Sequence, residues 1–404
     1  MPGKQLTLWI GGAIVIAIIG WIIFAPKETV APVLEDPATG VAPVEGGVVT
    51  GATPSANPAP VAPAPVSPSK AGTPTPVAQT PSPLKGSMAP EFKAPSGFTN
   101  TEAFTMQSLV GKQVILVQFW AYTSVNSMRT MPYINQWNEK YKRKGLTIVS
   151  VHTPRFAFEK QKDNVDKSAF TNNILNPIVL DNQYGTWDAW ANKNWPTMYL
   201  VDINGRIVYS QKGEGGYAAT EAKIQELLAA RAVKLKTSKD VYAPFEIPAG
   251  ASNMDPLLVK SAETYFGSAR NTTLANGTPL VVGIQYMKPY TELKSNMLYM
   301  KGAWDIQGEY ARSAAESSSF THYYNAKNAY LVLGATGINK VKVTLDGKPL
   351  GAVAGKDVRE ENGESIVYVS DERVYEIVKG NDYGAHTLEV TAVSTGLQVY
   401  SLMF

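Results

Sequence analysis

One stretch constrains this chain more than any other. Val114-Ile-Leu-Val-Gln-Phe-Trp120 is a short apolar run broken only by Gln118. It is followed at once by the polar segment Ala121-Tyr-Thr-Ser-Val-Asn-Ser127 and then by helix-forming sequence through Lys142. So short an apolar run, bounded by a polar turn, reads as a buried strand feeding a helix, with the turn exposed at the C-terminal end of the strand.

The same alternation continues downstream. Leu146-Thr-Ile-Val-Ser-Val151 is a second apolar strand, and Phe156 to Asn172 is a charged amphipathic helix. Ile178-Val-Leu180 is a brief third strand, and Trp187 to Asn192 a short helix. Met198-Tyr-Leu-Val201 and Arg206-Ile-Val-Tyr209 flank Asp202-Ile-Asn-Gly205, a hairpin turn signalled by Asn-Gly. Glu221 to Ala232 closes the unit as a helix. This order predicts one α/β domain over residues 89–235, with helices on both faces of the sheet.

The segment Phe119-Trp120-Ala-Tyr-Thr-Ser-Val-Asn-Ser-Met-Arg129-Thr-Met-Pro132-Tyr-Ile-Asn135 resembles, without a gap, the active-site segment of TlpA-like thioredoxin domains. The resemblance runs in particular to the soluble part of DipZ-type proteins. That family reads Phe-Trp-Thr-Tyr-x-Cys-x-Asn-Cys-x-Arg-Thr-x-Pro-Tyr there, so Ser124 and Ser127 fall on the two cysteine positions. The element order above is also the thioredoxin order. A thiol at a helix N-terminus has a lowered pKa, and its partner can close a disulfide; a hydroxyl does neither. Thioredoxins also commonly carry a buried acid two residues before the motif Trp, and that position holds Gln118, which does not titrate. The resemblance therefore implies a thioredoxin-like domain without redox chemistry and with no catalytic residue. Two accounts of the serines stand: natural loss, favoured by Gln118 and by the intact N-terminal region, and an engineered double substitution of a thiol–disulfide oxidoreductase.

What the resemblance leaves is a groove. Trp195-Pro196-Thr197 precedes a strand, where thioredoxin folds carry a cis proline against the active-site turn. By that likeness Trp120, Tyr122, Ser124, Ser127, Trp195 and Pro196 form a site for extended polypeptide, with the three aromatics as its rim. His152-Thr-Pro154 matches the family's segment after the second strand, and His152 reads as a structural histidine sooner than as a border of the groove. Arg155 stands where the family often has Glu.

Composition excludes other chemistries. The 404 residues carry no cysteine, so disulfides, thiolate metal sites and cysteine nucleophiles are ruled out. The three histidines, His152, His322 and His386, are too widely spaced for a metal-ligand pattern, so no metal and no cofactor are expected. A formal net charge of +3, with no basic run, gives no argument for nucleic acid. No Ser-His-Asp arrangement is legible that would activate a serine.

Leu6 to Ala25 is almost continuously apolar and uncharged. Twenty residues at about 1.5 Å each reach roughly 30 Å, the hydrocarbon thickness of a bilayer. Trp9 and Trp21 lie near its ends, where interfacial aromatics are favoured. Residues 1–25 therefore read as an uncleaved transmembrane anchor, since Ile23-Phe24-Ala25 is not the small-x-small site of a signal peptide. Lys4 and the amino terminus before the span, against Lys27 soon followed by Glu28, Glu35 and Asp36 after it, favour the N-terminus in the cytoplasm and the bulk of the chain outside, in periplasm or cell wall. Residues 26–88 are Pro, Ala, Val, Thr and Gly, a composition that cannot bury enough surface to fold and that proline holds extended, as a tether.

Residues 236–256 lapse into a Pro/Gly/Ser connection, and 257–404 carry short alternating runs with Asp346-Gly and Asn362-Gly turns between them. Several short strands indicate an all-β sandwich. Its resemblance is to the C-terminal jelly-roll of DipZ-type proteins, which is like a carbohydrate-binding module. Trp304, Tyr310, Tyr323, Tyr324 and Tyr368 are the candidate sugar-stacking aromatics, although aromatics at alternate strand positions are more often core. The full family also has a multi-helix membrane domain that this sequence lacks. The expectation is thus a membrane-anchored envelope protein that binds extended polypeptide, or glycan through its sandwich. Thiol–disulfide oxidoreductase activity, if the serines are engineered, and a purely structural or adhesive role are the alternatives.

Overall fold

A computed structural model describes residues 84–404, which fall in one compact unit. The apolar run Leu6–Ala25 and nearly all of the tether lie outside the described residues. Among the described residues no helix is long and apolar enough to cross a membrane.

The apolar run forms β2 (Val114–Trp120), and every one of its seven residues is buried. Successive side chains of a strand point to opposite faces, so a run apolar at both parities must be covered on both. Val114, Leu116 and Trp120 face one core with Ile134, Trp137, Ile224 and Leu228, while Ile115, Val117 and Phe119 face another with Met106, Trp187 and Trp190. The first core is covered by α2 (Val125–Tyr141), α3 (Lys162–Thr171) and α5 (Tyr217–Leu235). The second is covered by α1 (Met106–Leu109) and α4 (Gly185–Ala189). The sheet order is β1-β4-β3-β2-β5-β6, with β1 (Gly97–Thr99), β3 (Leu146–His152), β4 (Ile178–Leu180), β5 (Thr197–Val201) and β6 (Ile207–Lys212). β2, β3 and β4 run parallel and the other pairs antiparallel. The β5–β6 hairpin closes as its Asn-Gly signal requires: Gly205 takes φ +82°, and Asp202 accepts from the Asn204 and Arg206 amides.

The helix after β3 differs from the sequence reading. The helix expected from Phe156 to Asn172 is a short 3-10 turn at Ala157–Lys160 followed by α3, with Gln161 extended between them. The break has a cause: Phe156 and Phe158 are drawn away from the helix into an apolar cluster with the second domain, and Glu159 is held by the amides of Thr123 and Arg155.

The C-terminal half is an antiparallel sheet ordered β14-β15-β13-β16-β12-β17-β11-β10-β8, with β7 added to β17 and β9 to β12. Its strands are β7 (Thr264–Tyr265), β8 (Gly283–Tyr286), β9 (Leu298–Lys301), β10 (Ala303–Ile306), β11 (Ala311–Ser313), β12 (Ser319–Ala335), β13 (Asn339–Leu345), β14 (Val358–Glu361), β15 (Glu364–Val369), β16 (Arg373–Ala392) and β17 (Leu397–Met403). Two long strands organise it. The first part of β12 pairs with β9 and the later part of β16; its last part pairs with β17 and the beginning of β16. Register shifts between Ala326 and Tyr330 separate those parts. Bulges bend a ladder, and here one core draws Met300 and Phe320 from one part and Leu333, Val399 and Leu402 from the other. The runs Val374–Val378 and Thr387–Thr391, separate strands by sequence pattern, are two parts of β16 joined through an exposed glycine-containing stretch.

Candidate functional site

The site grows from the end of β2. Trp120 closes the strand, Ala121 to Thr123 turn the chain, and Ser124 starts α2 as its N-cap, with extended φ/ψ and its hydroxyl accepting from the Ser127 amide at 3.3 Å. The two serines therefore stand at the N-cap and in the first turn of a 17-residue helix, where orphan N–H groups and the helix dipole would stabilise an anion. A thiolate would be favoured there; a hydroxyl at neutral pH stays protonated and acts as a cap. Beneath the turn Gln118 is fully buried, accepts from the Ser150 hydroxyl at 3.2 Å, and carries no charge.

The aromatic candidates divide by depth. Trp120, expected on a rim, is wholly buried in the core beside Met131, because β2 is covered on both faces as far as its last residue. Tyr122 is half-buried and stacks on His152 at 5.5 Å, while Trp120 meets His152 edge-on at 5.1 Å. His152 is fully buried with neither ring nitrogen bonded to a protein group, and burial pushes its pKa down from 6.5 to about 3. It is a neutral packing ring. Burial, with Glu159 adding repulsion, raises the Tyr122 phenol above its ordinary value. Trp195 is half-buried against Trp187 at 4.2 Å and donates its indole N–H to the Thr153 carbonyl at 2.9 Å. The Trp195–Pro196 peptide is cis, and Pro196 is buried. Thr197 pairs with Phe119 across β5 and β2, and the Thr153 amide bonds the Trp120 carbonyl. Pro196 thus lies at the end of the sheet where the Ser124 turn begins.

Sequence reasoning missed what covers this turn. Ser124, Val125 and Ser127 are 6%, 5% and 0% exposed. Val125, Phe156 and Phe158 pack with Val332, Tyr400 and Met403 of the β domain. Arg155 is the polar centre of the contact: it donates to the Thr123 carbonyl at 2.8 Å, to Glu263 and to Tyr265 at 3.3 Å. Burial works against the Arg155 charge, but Glu263, Tyr265 and Glu159 more than offset it, so its pKa is raised. Glu159 is equally deep, and burial raises its carboxyl, with Arg155 and the Thr123 hydroxyl pulling back only in part. Arg129 forms a two-pronged pair with Glu214 and also holds the Phe404 carbonyl at 3.1 Å. Arg155, in a position the family often fills with Glu, was the one visible signal.

The five aromatics named for the β domain do not form one platform. Trp304 and Tyr324 are core residues, because inward positions of β10 and β12 bury them fully. Tyr310 packs on Tyr400 at the domain contact, whereas Tyr368 is on β15 beside Arg359. Tyr323 is half-buried on β12. A separate open groove of about 470 Å³ is lined by Ser317, Lys342, Thr344, Gly347, Glu389, Thr391 and Val393, with no aromatic among them. Among the described residues there is no cluster of three or more His, Asp or Glu that could hold a metal.

Comparison with known proteins accounts for both halves. Residues 84–228 match the family described as Redoxin, and residues 261–404 match the Thioredoxin like C-terminal domain. The chain is 32% identical over 321 residues to Protein DipZ of Mycobacterium tuberculosis, covering 78% of this chain and 42% of that protein. It is 28% identical over 140 residues to thiol-disulfide oxidoreductase YkuV of Bacillus subtilis, covering 35% of this chain and 93% of that one. It is 32% identical over 122 residues to thiol-disulfide oxidoreductase ResA of Geobacillus thermodenitrificans, covering 30% and 66% respectively. The chain thus spans less than half the length of its DipZ relative.

Proposed function

Taking the chain as a thioredoxin-like protein built of a redoxin domain and a thioredoxin-like C-terminal domain, we propose that it is a non-catalytic relative of the thiol–disulfide oxidoreductases that acts by binding. The observation that carries this reading is the pair Ser124 and Ser127 at the start of α2 in a chain without cysteine. Disulfide exchange passes through attack of a thiolate on a disulfide sulfur, and a chain without cysteine supplies neither. Gln118 agrees with it, since an amide beneath the turn handles no proton.

The ligand on this reading is extended polypeptide at the Tyr122, Ser124, Trp195 and Pro196 end of the sheet, or envelope glycan on a β domain of jelly-roll, carbohydrate-binding-like type. Leu6–Ala25 anchors the chain in the plasma membrane, and the Pro/Ala-rich tether carries the two domains into the periplasm or wall. A second reading takes the serines as substitutions in a working oxidoreductase, and the names of the YkuV and ResA relatives favour it.

The test is insulin reduction with dithiothreitol by the full chain. Wild type should give no turnover above the blank, and turnover by it would sink the non-catalytic reading. The Ser124→Cys/Ser127→Cys variant is the companion measurement, because it reports whether the thiols alone are missing.

A further inference from the structure

We propose that the redox-turn face of the thioredoxin-like domain is an internal docking surface, occupied by β17 and its neighbours in this chain's own β domain. The proposal rests on the reading above only in taking Ser124 and Ser127 as former thiol positions; the contact itself is independent of any chemistry there.

Reactive thiols of exchange enzymes sit where a partner can reach them, partly exposed at a helix N-terminus. Here the position is covered. Ser124 and Val125 are 6% and 5% exposed while Asn126, the next residue, is exposed to solvent. The cover is not a loose approach of two surfaces. Val125 sits in an apolar seam with Tyr400 and Met403, and Phe158 lies 5.1 Å from the Tyr400 ring. Around that seam charged side chains find partners across the domains: Arg155 pairs with Glu263, the Arg270 guanidinium donates to the Arg155 carbonyl at 2.9 Å, and the Ala157 amide donates to Glu309 at 2.8 Å. An apolar, desolvated centre with polar contacts around it is the anatomy of a stable interface.

The occupant has an advantage over any external ligand. It is tethered to the same chain, so its effective concentration is of order millimolar or higher. An outside polypeptide reaches Ser124 only by displacing the β domain, and its apparent affinity is reduced by the fraction of time the seam is open.

Because the chain has no cysteine, Ser124→Cys introduces a sole thiol whose modification reads the seam directly. The experiment compares maleimide labelling of full-chain Ser124→Cys with Asn126→Cys, two residues away on the same turn. Labelling of a covered thiol requires local opening, so Ser124→Cys should react ~100-fold more slowly, both reacting alike in guanidinium. Adding Met403→Asp, or separately Val125→Glu, to Ser124→Cys should bring its rate close to that of Asn126→Cys. Equal rates for the two single variants would overturn the proposal. So would continued protection of Ser124→Cys in both seam variants, with circular dichroism showing them folded, because the cover would then come from the thioredoxin-like domain alone. If Met403→Asp fails to fold, Val125→Glu, on the opposite side of the seam, decides. Insulin reduction by the wild-type chain, which has no thiol, is unaffected by either result, so this test and that of the non-catalytic reading fail separately.

Discussion

Replacing His152 by Phe should make the protein markedly more resistant to acid. The ring is fully buried between Tyr122 and Trp120, makes no hydrogen bond to protein, and titrates at about 3 instead of 6.5. A group whose folded pKa is depressed contributes stability that is present above its unfolded pKa and lost as pH falls toward the folded one. For His152 that window runs from about 6.5 down to about 3. At pH 4 the unfolded chain binds the proton and the folded one does not; 2.5 units at ~1.36 kcal/mol each gives a penalty of about 3 kcal/mol. Phe keeps a ring against Tyr122 and Trp120 and loses no hydrogen bond, so its own cost is a packing term of about 1 kcal/mol that does not vary with pH. The assay is urea unfolding of both proteins from pH 7 to pH 4. The difference in stability, wild type minus His152→Phe, should fall by about 3 kcal/mol across that range, since carboxylates common to both cancel. Parallel profiles would refute the reasoning, and so would a His152 ring resonance titrating near its ordinary pKa in the folded protein.

Two further substitutions probe the contact between the domains. Arg155→Met leaves Glu159 buried without its cation and Glu263 with only the Tyr265 hydroxyl, and should cost about 3 kcal/mol, with a coupling to Glu263→Gln above about 1 kcal/mol in a double-mutant cycle. A single-variant loss below about 1 kcal/mol would show the pair to be incidental. Gly267→Ala places a Cβ against the Glu309 backbone carbon and the Tyr310 amide, on the segment whose side chains meet Ala157 and Tyr400. It should destabilise by about 1–3 kcal/mol and speed labelling of Ser124→Cys, and an unchanged Tm would count against the close approach.

How far the sequence carries depends on whether a residue's surroundings are local. β2 was legible because a short apolar run closed by a polar turn reads as a buried strand, and the hairpin because Asn204-Gly205 specifies its turn. The position of Ser124 was legible for the same reason: the strand ends, the cap begins, and nothing distant intervenes. Trp120 was misplaced on a rim because depth is set by which helices land on it, a tertiary fact. Phe156 and Phe158 fit a helical pattern as well as they fit a seam, and only the presence of Tyr400 and Met403 decides between them. The five strands before Ser319 escaped notice because β7 to β11 have two to four residues each, too short for alternation to register. The paired charges of Arg155 and Glu263 are 108 residues apart, and no periodicity connects them.

On the proposed reading, three positions that differ from the family's pattern change the balance of the fold in one direction. Ser124 caps α2 through its oxygen, a better acceptor than sulfur, and a serine cap is worth about 0.5–2 kcal/mol over none. Gln118 sits at zero exposure with its carbonyl bonded to Ser150, where a carboxyl would have to be buried at a cost of several kcal/mol unless paired. Arg155 lies between Glu159 and Glu263, and a glutamate there would set three carboxylates against one another across the domain contact. Each change gives up a reactive or titrating group and gains cohesion, as expected where activity no longer opposes stability. It follows that restoring the thiols alone restores a nucleophile without access. Ser124→Cys/Ser127→Cys should stay slow on a protein substrate such as insulin and should gain rate when Arg155→Glu loosens the seam; a double-cysteine chain that reduces insulin as fast as its opened counterpart would show that cohesion at this turn never stood against exchange.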